Sequence, residues 1–413
     1  MKTEKEEQIL ISITGQDRPG LTASVMAILA AYDAQILDIG QADIHATLSL
    51  GILIRISDRS SGQVMKELLF KANELGVNIG FSPIADDEYE AWVSRQGKNR
   101  YILTVIGRTL SAQDISEATR IIAGQGLNID SILRLTGRQS IKHPEKNVSR
   151  ACIEFSLRGT PTDQQAMQAE LMTLSQNLGI DFSFQRDNMY RRMRRLICFD
   201  MDSTLIQTEC IDELAERAGV GAQVRAITER AMRGEIDFKE SFTERVALLK
   251  GLDASVMHDI AEHMPITEGV DRLMEVLKRC GYKIAILSGG FTYFGEYLQR
   301  KYGIDYVYAN ELEIDENGKL TGRYLGEIVD GRRKAELLKL IAQVEKVHLA
   351  QTIAVGDGAN DLPMISEAGL GIAFHAKPRV VANAKQSINT IGLDGVLYFL
   401  GFKDSYLGEQ GRM

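Results

Sequence analysis

The 413 residues contain only four cysteines, Cys152, Cys198, Cys210 and Cys280, and no two of them stand at a C-x-x-C or other pairing distance. That scatter argues against a disulfide framework and a zinc site, and fits a reducing compartment. Positive charge is also short. Against 56 Asp and Glu there are 48 Lys and Arg, and the net charge of -8 argues against a broad nucleic-acid-binding surface. No run of about 18 apolar residues occurs, so no membrane span is expected. Met1 to Gln8 is charged and leads into only a short apolar run, so no signal peptide is read there. These absences point to a soluble cytoplasmic protein. What is there is 44% apolar and 25% charged, an ordinary globular balance. The length suggests about two to four domains.

The front of the chain reads as two small modules. Ile9 to Thr14 alternates as a strand, Gln16 to Gly20 is a turn by its Pro19 and Gly20, and Leu21 to Tyr32 has helical spacing. Strands at Ile36–Asp43 and Leu48–Ile56, a helix at Val64–Leu75 and a strand at Val77–Ser82 complete a ferredoxin-like βαββαβ order. The order recurs in Tyr101–Gly107, Ser111–Gly124, Ile129–Thr136, Ala151–Leu157, Thr162–Leu178 and Ile180–Gln185. Domains over 1–84 and 98–188 follow, with the polar stretch Ala85–Arg100 as linker. A polar insertion, Gly137–Asn147, carries His143 and Pro144 and reads as a loop tip. The Asp17-Arg18-Pro19-Gly20 turn resembles the loop of ACT domains, small modules that often bind amino acids and pair edge to edge. That resemblance implies an amino-acid ligand such as L-serine, with Asp17 and Gly20 as candidate contacts, and a homodimer. The second copy has Gly107-Arg108-Thr109-Leu110 there and lacks the Pro-Gly turn. Sensing and pure assembly both remain open for the pair.

Tyr190-Arg191-Arg192-Met193-Arg194-Arg195 is short and basic and reads as a solvated linker. Then the chemistry begins. Leu196-Ile197-Cys198-Phe199 has the continuous apolar character of a buried parallel strand. It runs into Asp200-Met201-Asp202-Ser203-Thr204, so two carboxylates stand at a strand's C-terminal edge, where open α/β sheets bind ligands. Two close carboxylates repel unless a cation or proton lies between them. Lys283–Leu287 is a second apolar strand ending in Ser288-Gly289-Gly290. Thr352–Val355 is a third, ending in Gly356-Asp357-Gly358-Ala359-Asn360-Asp361. Asn317-Gly318 marks a hairpin, Lys334 lies in a helix opened by Asp330, and Leu370–Phe374 reads as a further strand.

In order, Asp200-Met201-Asp202-Ser203-Thr204, Ser288-Gly289, Lys334 and Gly356-Asp357-Gly358-Ala359-Asn360-Asp361 resemble the motifs of the haloacid dehalogenase superfamily of phosphotransferases. The resemblance covers about residues 196–400. It implies an α/β fold, a Rossmann-like parallel sheet over 194–413 with a helical cap at about 207–272. It also implies Asp200 as nucleophile and Asp202 as general acid and base. Mg²⁺ would be held by Asp200, Asp357 and the backbone carbonyl of Asp202. Ser288, Gly289, Lys334 and Asn360 would hold the phosphoryl group, and Asp361 would orient Lys334 or a metal-bound water. Members that keep their phosphoryl group carry Thr at the position of Asp202, so Asp202 implies a phosphatase.

The cap adds Glu209, the run from Met232 to Phe238, and Arg245. A carboxylate and an arginine beside a phosphate site suit the ammonium and carboxylate of one small molecule. The set resembles the phosphoserine phosphatase family, in which the Glu binds the amino group, the Arg the carboxylate, and Met and Phe line the pocket. That implies hydrolysis of O-phospho-L-serine, the last step of L-serine synthesis. Two alternatives stand beside it: a phosphatase of another small phosphorylated metabolite, and an amino-acid sensor with an idle phosphatase domain.

Overall fold

The structure, a computed structural model, describes residues 5–94, 99–138, 140–143 and 149–407. The chain divides into two compact units on either side of residue 98. In the first, β1 (Glu6–Gln16), β2 (Gln35–Ile44), β3 (Thr47–Ser57) and β4 (Asn78–Ile84) form an antiparallel sheet in the order β2-β3-β1-β4. Ile9, Ile11 and Ile13 of β1 are buried with Leu48, Leu50, Ile52, Ile54 and Ile56 of β3. This period of two aims one face at the helices Leu21–Ala31 and Asp58–Leu75.

The expected linker is not all loop. Asp86–Val93 is a helix, favoured by Asp86, Asp87 and Glu88 in its first turn, where negative charge suits the helix dipole. Its Tyr89 and Trp92 rings lie 5.9 Å apart. With Leu10, Ile39, Leu53 and Ile84 they wall a cavity of about 430 Å³ on the other face of the sheet.

The second unit opens with β5 (Arg100–Gly107), β6 (Asn128–Arg134), β7 (Ala151–Arg158) and β8 (Asp181–Arg186), in the order β6-β7-β5-β8. Here the two modules differ. Every residue from Tyr101 to Gly107 is buried, so β5 is covered on both faces. The second cover comes from the C-terminal segment. The Gln386 amide bonds both the N–H and the C=O of Phe184, each at 3.0 Å, and Gln185 donates to the Phe399 carbonyl at 2.9 Å. Asp181, fully buried, accepts from the backbone N–H groups of Asn389 and Thr390, both at 2.9 Å. Asp181→Ala strands both donors, and an unmade buried hydrogen bond costs about 1–3 kcal/mol. The variant is expected to lose about 3 kcal/mol of stability in chemical denaturation, and Asp181→Asn, which keeps one acceptor oxygen, clearly less.

The basic run is not a solvated linker either. Met189–Arg192 is a short helix, and Arg191 and Arg194 are buried. Arg191 pairs with Glu154 at 2.7 Å, while Arg194 donates to the neutral Gln185 at 2.8 Å and has no carboxylate partner among the described residues, so burial and the neighbouring Arg191 lower its pKa to about 10. His143 is exposed, and Pro144 lies outside the described residues.

The rest is an α/β sheet of seven strands. β9 (Leu196–Phe199), β10 (Lys283–Phe291), β11 (Tyr306–Ile314), β12 (Leu320–Leu325), β13 (Thr352–Gly356), β14 (Leu370–Phe374) and β15 (Ser387–Ile388) are ordered β12-β11-β10-β9-β13-β14-β15. Only the β11–β12 hairpin is antiparallel. β9 is central, and its side chains feed two cores. Ile197 and Phe199 face one, Leu196 and Cys198 the other, with the helix Gly331–Val344 on the second side. Between β9 and β10 the chain detours through the helices Cys210–Arg217, Gly221–Met232, Phe238–Ala247 and Val256–His263. It leaves at Ile206 and returns at Ile266, which pair as an antiparallel bridge. β10 continues past Leu287, through Ser288-Gly289-Gly290 to Phe291. No helix among the described residues is long and apolar enough to cross a membrane.

Candidate active site

Register explains why three distant segments meet. Phe199 lies beside Ile286 on one flank and Val355 on the other. The next residues along the three strands are Asp200, Leu287 and Gly356, and Ser288 and Asp357 follow one position later, so all three functional side chains leave the sheet at one edge. The Asp200 N–H extends the ladder by donating to the Val355 carbonyl at 2.9 Å. The chain then turns sharply. The N–H groups of Thr204, Leu205 and Ile206 all converge on the Met201 carbonyl, and Ser203 is left-handed with φ 56°. Such a conformation costs a non-glycine residue about 1–2 kcal/mol. The turn folds Asp202 back so that its Oδ1 accepts from the Cys210 N–H at 3.2 Å, at the start of the first cap helix.

Lys334 is fully buried between two carboxylates, 2.9 Å from Asp200 and 2.7 Å from Asp361. Burial pulls its pKa down, but Asp200 and Asp361 more than offset that and hold it above the ordinary lysine value. The other Asp361 oxygen accepts from the Gly358 N–H at 2.9 Å. Thr204 donates to Asp357 at 3.4 Å. Asp200, Asp357 and Asp361 bring carboxylate oxygens within 4.8 Å of one another. Burial and then the Asp200 charge push Asp357 up to about 8 and Asp361 up to about 7. Burial also pushes Asp202 up to about 8, with Glu209 and Asp200 adding to it. The donor set is oxygen only and over-supplied with negative charge, which suits a small hard cation. Asp361 has both oxygens engaged, so Asp200 and Asp357 are the carboxylates that fit one.

Ser288 is buried, and its Oγ accepts from the Gly290 N–H at 2.9 Å. Two glycines here make room for neighbouring side chains. A β-carbon on Gly290 would run into Asp202 Oδ2, and one on Gly289 would sit 2.9 Å from the Phe238 ring. Asn310 is buried and locks the Gly289 carbonyl at 2.8 Å while accepting from Val329 at 2.8 Å. Asn360 lies against Gly331 and Gly358.

From the cap, Glu209 accepts from Ser203 Oγ at 2.8 Å. Arg245, half-buried, donates to the Ser241 carbonyl at 3.2 Å. Burial lowers the Arg245 pKa, while attraction to Glu209, Asp212 and Asp202 opposes that. Crowding by the cleft walls raises the Glu209 pKa, against the Ser203 hydroxyl bond. Phe238 stacks on Phe242 at 6.2 Å. Met232 does not join them: it is 63% exposed, and Lys377 Nζ lies 3.7 Å from its sulfur. Asp17 and Gly20 belong to the other unit and form an exposed turn, Gly20 with φ 91°.

Sequence reasoning passed over several residues. Thr204 and Gly290 lie inside quoted motifs and needed only a spatial partner. Asn310 is a polar residue in an otherwise strand-like run, a signal that was there to read. Among the described residues, Thr208 Oγ1 and Ser241 Oγ are buried without a hydrogen-bond partner, beside Glu209 and one turn before Arg245. Such hydroxyls are rare and costly, and mark a place where a polar ligand can satisfy them.

The chain matches the family model of the ACT domain over residues 7–82 and that of the haloacid dehalogenase-like hydrolases over residues 197–366. A phosphoserine phosphatase of Streptomyces coelicolor is 39% identical over 402 residues, covering 97% of this chain and 93% of its own length. One of Archaeoglobus fulgidus is 42% identical over 337 residues, covering 81% of this chain and 93% of its own. A haloacid dehalogenase family hydrolase of Salmonella enterica serovar Typhi superposes with a TM-score of 0.61 at 30% identity, over 72% of this chain and 98% of that one. A probable phosphoserine phosphatase of Vibrio cholerae does so with a TM-score of 0.57 at 35% identity, over 77% of this chain and 90% of that one. With relatives matched over nearly their whole length and the motif residues gathered at one sheet edge, the chain belongs to the phosphoserine phosphatase family of haloacid dehalogenase-like hydrolases, with an ACT domain at its front.

Proposed function

We propose that the protein hydrolyses O-phospho-L-serine to L-serine and phosphate through a phosphorylated Asp200. The observation that carries this is the buried Asp200–Lys334–Asp361 array, with Glu209 held by Ser203 of the turn that follows Asp200. A covalent intermediate divides one high barrier into two lower ones. Asp200 attacks phosphorus, and the P–O bond to the serine oxygen breaks. Lys334 and the Ser288 hydroxyl hold the equatorial oxygens as charge redistributes. Asp202 gives a proton to the departing serine oxygen. It then takes one from the water that attacks the phosphoaspartate, which returns Asp200 and frees phosphate. Mg²⁺ would be held by Asp200, Asp357 and the Asp202 backbone carbonyl, and supplies positive charge that offsets the repulsion between carboxylate and phosphate.

In the cap, Glu209 takes the substrate ammonium and Arg245 its carboxylate, and Phe238 closes the pocket over Gly289. Arg245→Ala is expected to raise KM for phosphoserine about 100-fold, the loss of a charge-assisted pair worth about 2–3 kcal/mol. A phosphomonoester lacking the carboxylate should change no more than about twofold, because it never used that pair. Equal losses on both esters would remove Arg245 from carboxylate recognition.

The same reading assigns 194–413 to the phosphatase domain and 1–84 and 98–188 to ACT-like domains. It makes the enzyme a cytoplasmic homodimer at the end of serine synthesis. The Asp17–Gly20 turn would hold regulatory L-serine, since Gly20 precedes a helix whose first N–H groups suit a carboxylate.

A further inference from the structure

In the second module, the loop at the place of the Asp17–Gly20 turn is Gly107-Arg108-Thr109-Leu110, between β5 and the helix Ala112–Gly124. Arg108 fills it with a contact to the foot of the cap. Its Nη1 and Nη2 donate to Glu268 Oε1 and Oε2 at 2.7 and 2.5 Å, and its Nε donates to the Thr390 carbonyl at 2.9 Å. This is the planar fork that arginine makes and lysine cannot.

Glu268 stands at a mechanical position. The outgoing and returning chains of the cap are zipped at its neck. Gln207 donates to the Pro265 carbonyl at 2.9 Å, Thr267 to the Leu205 carbonyl at 3.0 Å, and Ile206 pairs with Ile266. Glu268 is the next residue on the returning chain, and its own carbonyl accepts from Leu393 at 2.7 Å. Thr390 is fixed in turn by Asp181 of β8, which accepts from its N–H at 2.9 Å and its hydroxyl at 2.6 Å. One guanidinium therefore ties the second module, the cap neck and the C-terminal segment together. Glu209 follows the outgoing neck directly, so a rotation of the neck displaces it.

We propose that Arg108 is a positioning residue for the phosphatase reaction: through Glu268 and Thr390 the second module braces the cap neck and sets where Glu209 and Arg245 stand over Asp200. The inference rests on the assignment of Glu209 and Arg245 as substrate-binding groups. The side chains of Arg108 and Glu268 keep 43% and 60% of their exposure, and ion pairs so exposed add little to stability. The effect of breaking the clamp therefore falls on substrate binding and neck motion, not on unfolding.

The test uses the full chain and four variants, Arg108→Ala, Arg108→Lys, Glu268→Ala and the double Arg108→Ala/Glu268→Ala. Arg120→Ala, which breaks a pair with Glu117 and Glu170 elsewhere on the same module, is the control. Amide hydrogen exchange at 205–207 and at 266 and 267 is measured without substrate, and kcat, KM and Tm with O-phospho-L-serine. Each single alanine variant should speed neck exchange and raise KM about 5-fold, with kcat within about twofold and Tm at the control value. The double should match either single, and Arg108→Lys should recover less than half of the KM change. Wild-type neck exchange and KM in Arg108→Ala, or a double equal to the product of the singles, overturns the brace. If neck exchange responds while no variant, nor the wild type, hydrolyses phosphoserine, the brace stands and the substrate assignment fails.

Discussion

Asp200→Asn is expected to reduce phosphate release from O-phospho-L-serine by about 10⁴-fold or more while the protein stays folded. The reasoning runs through its neighbours. Asp200 stands at the end of the central strand, one oxygen held by the Met201 N–H at 2.7 Å and by Lys334 at 2.9 Å. Those contacts aim a carboxylate without consuming its second oxygen, as an attacking group requires. Asparagine keeps the shape, and Lys334 keeps Asp361 at 2.7 Å, so the buried ammonium is never left alone. Were Asp200 only an ion-pair partner, the result would be the reverse: a fall in Tm with most of the activity retained. The measurement is steady-state phosphate release and Tm on one preparation. After acid quench, no phosphoryl group should be found on the peptide that contains position 200.

The second large effect belongs to Asp202→Asn. One Asp202 oxygen is fixed by the Cys210 N–H at 3.2 Å, and the other lies against Gly290, where no β-carbon intervenes. That geometry leaves a carboxyl group at the site edge, backed by protein and free to pass a proton. General acid–base groups contribute about 10²–10⁴-fold. Phosphoserine turnover should fall by that order, since a serine alkoxide leaves poorly without a proton. An aryl phosphate needs none, so it should still phosphorylate Asp200. Water attack then lacks its base, and phosphoenzyme should accumulate on quenching. Phosphoserine turnover within about threefold of wild type, or no phosphoenzyme from the aryl ester, would remove Asp202 from the proton path.

These residues were legible early because their signal is local. Leu196–Phe199 and Thr352–Val355 are apolar runs that stop at carboxylates, and a parallel strand buried on both faces has no other way to present a charge. The first module was legible for a similar reason: Ile9, Ile11 and Ile13 alternate. The places where reading failed depend on contacts between distant segments. Arg191 and Arg194 look solvated until Glu154 and Gln185 are brought beside them. The apolar run of β5, broken only by Thr104, differs from the alternation of β1, and that difference was the available sign that the second module is covered on both faces. Its cover, residues 386–399, lies about two hundred positions away, beyond any window of periodicity. Met232 was expected to line the pocket but is exposed beside Lys377, because a resemblance carries residue type without carrying the position of the cap.

The most direct test of the central claim is initial-rate phosphate release from O-phospho-L-serine against a panel of other phosphomonoesters, each with Mg²⁺ and with excess EDTA. The proposed function, in which Glu209 and Arg245 read the amino and carboxylate groups and Asp200 and Asp357 hold Mg²⁺, predicts strong preference for phosphoserine, abolished by EDTA and restored by added Mg²⁺. Equal rates across the panel would contradict the substrate, and full activity in EDTA would contradict the role given to the carboxylates.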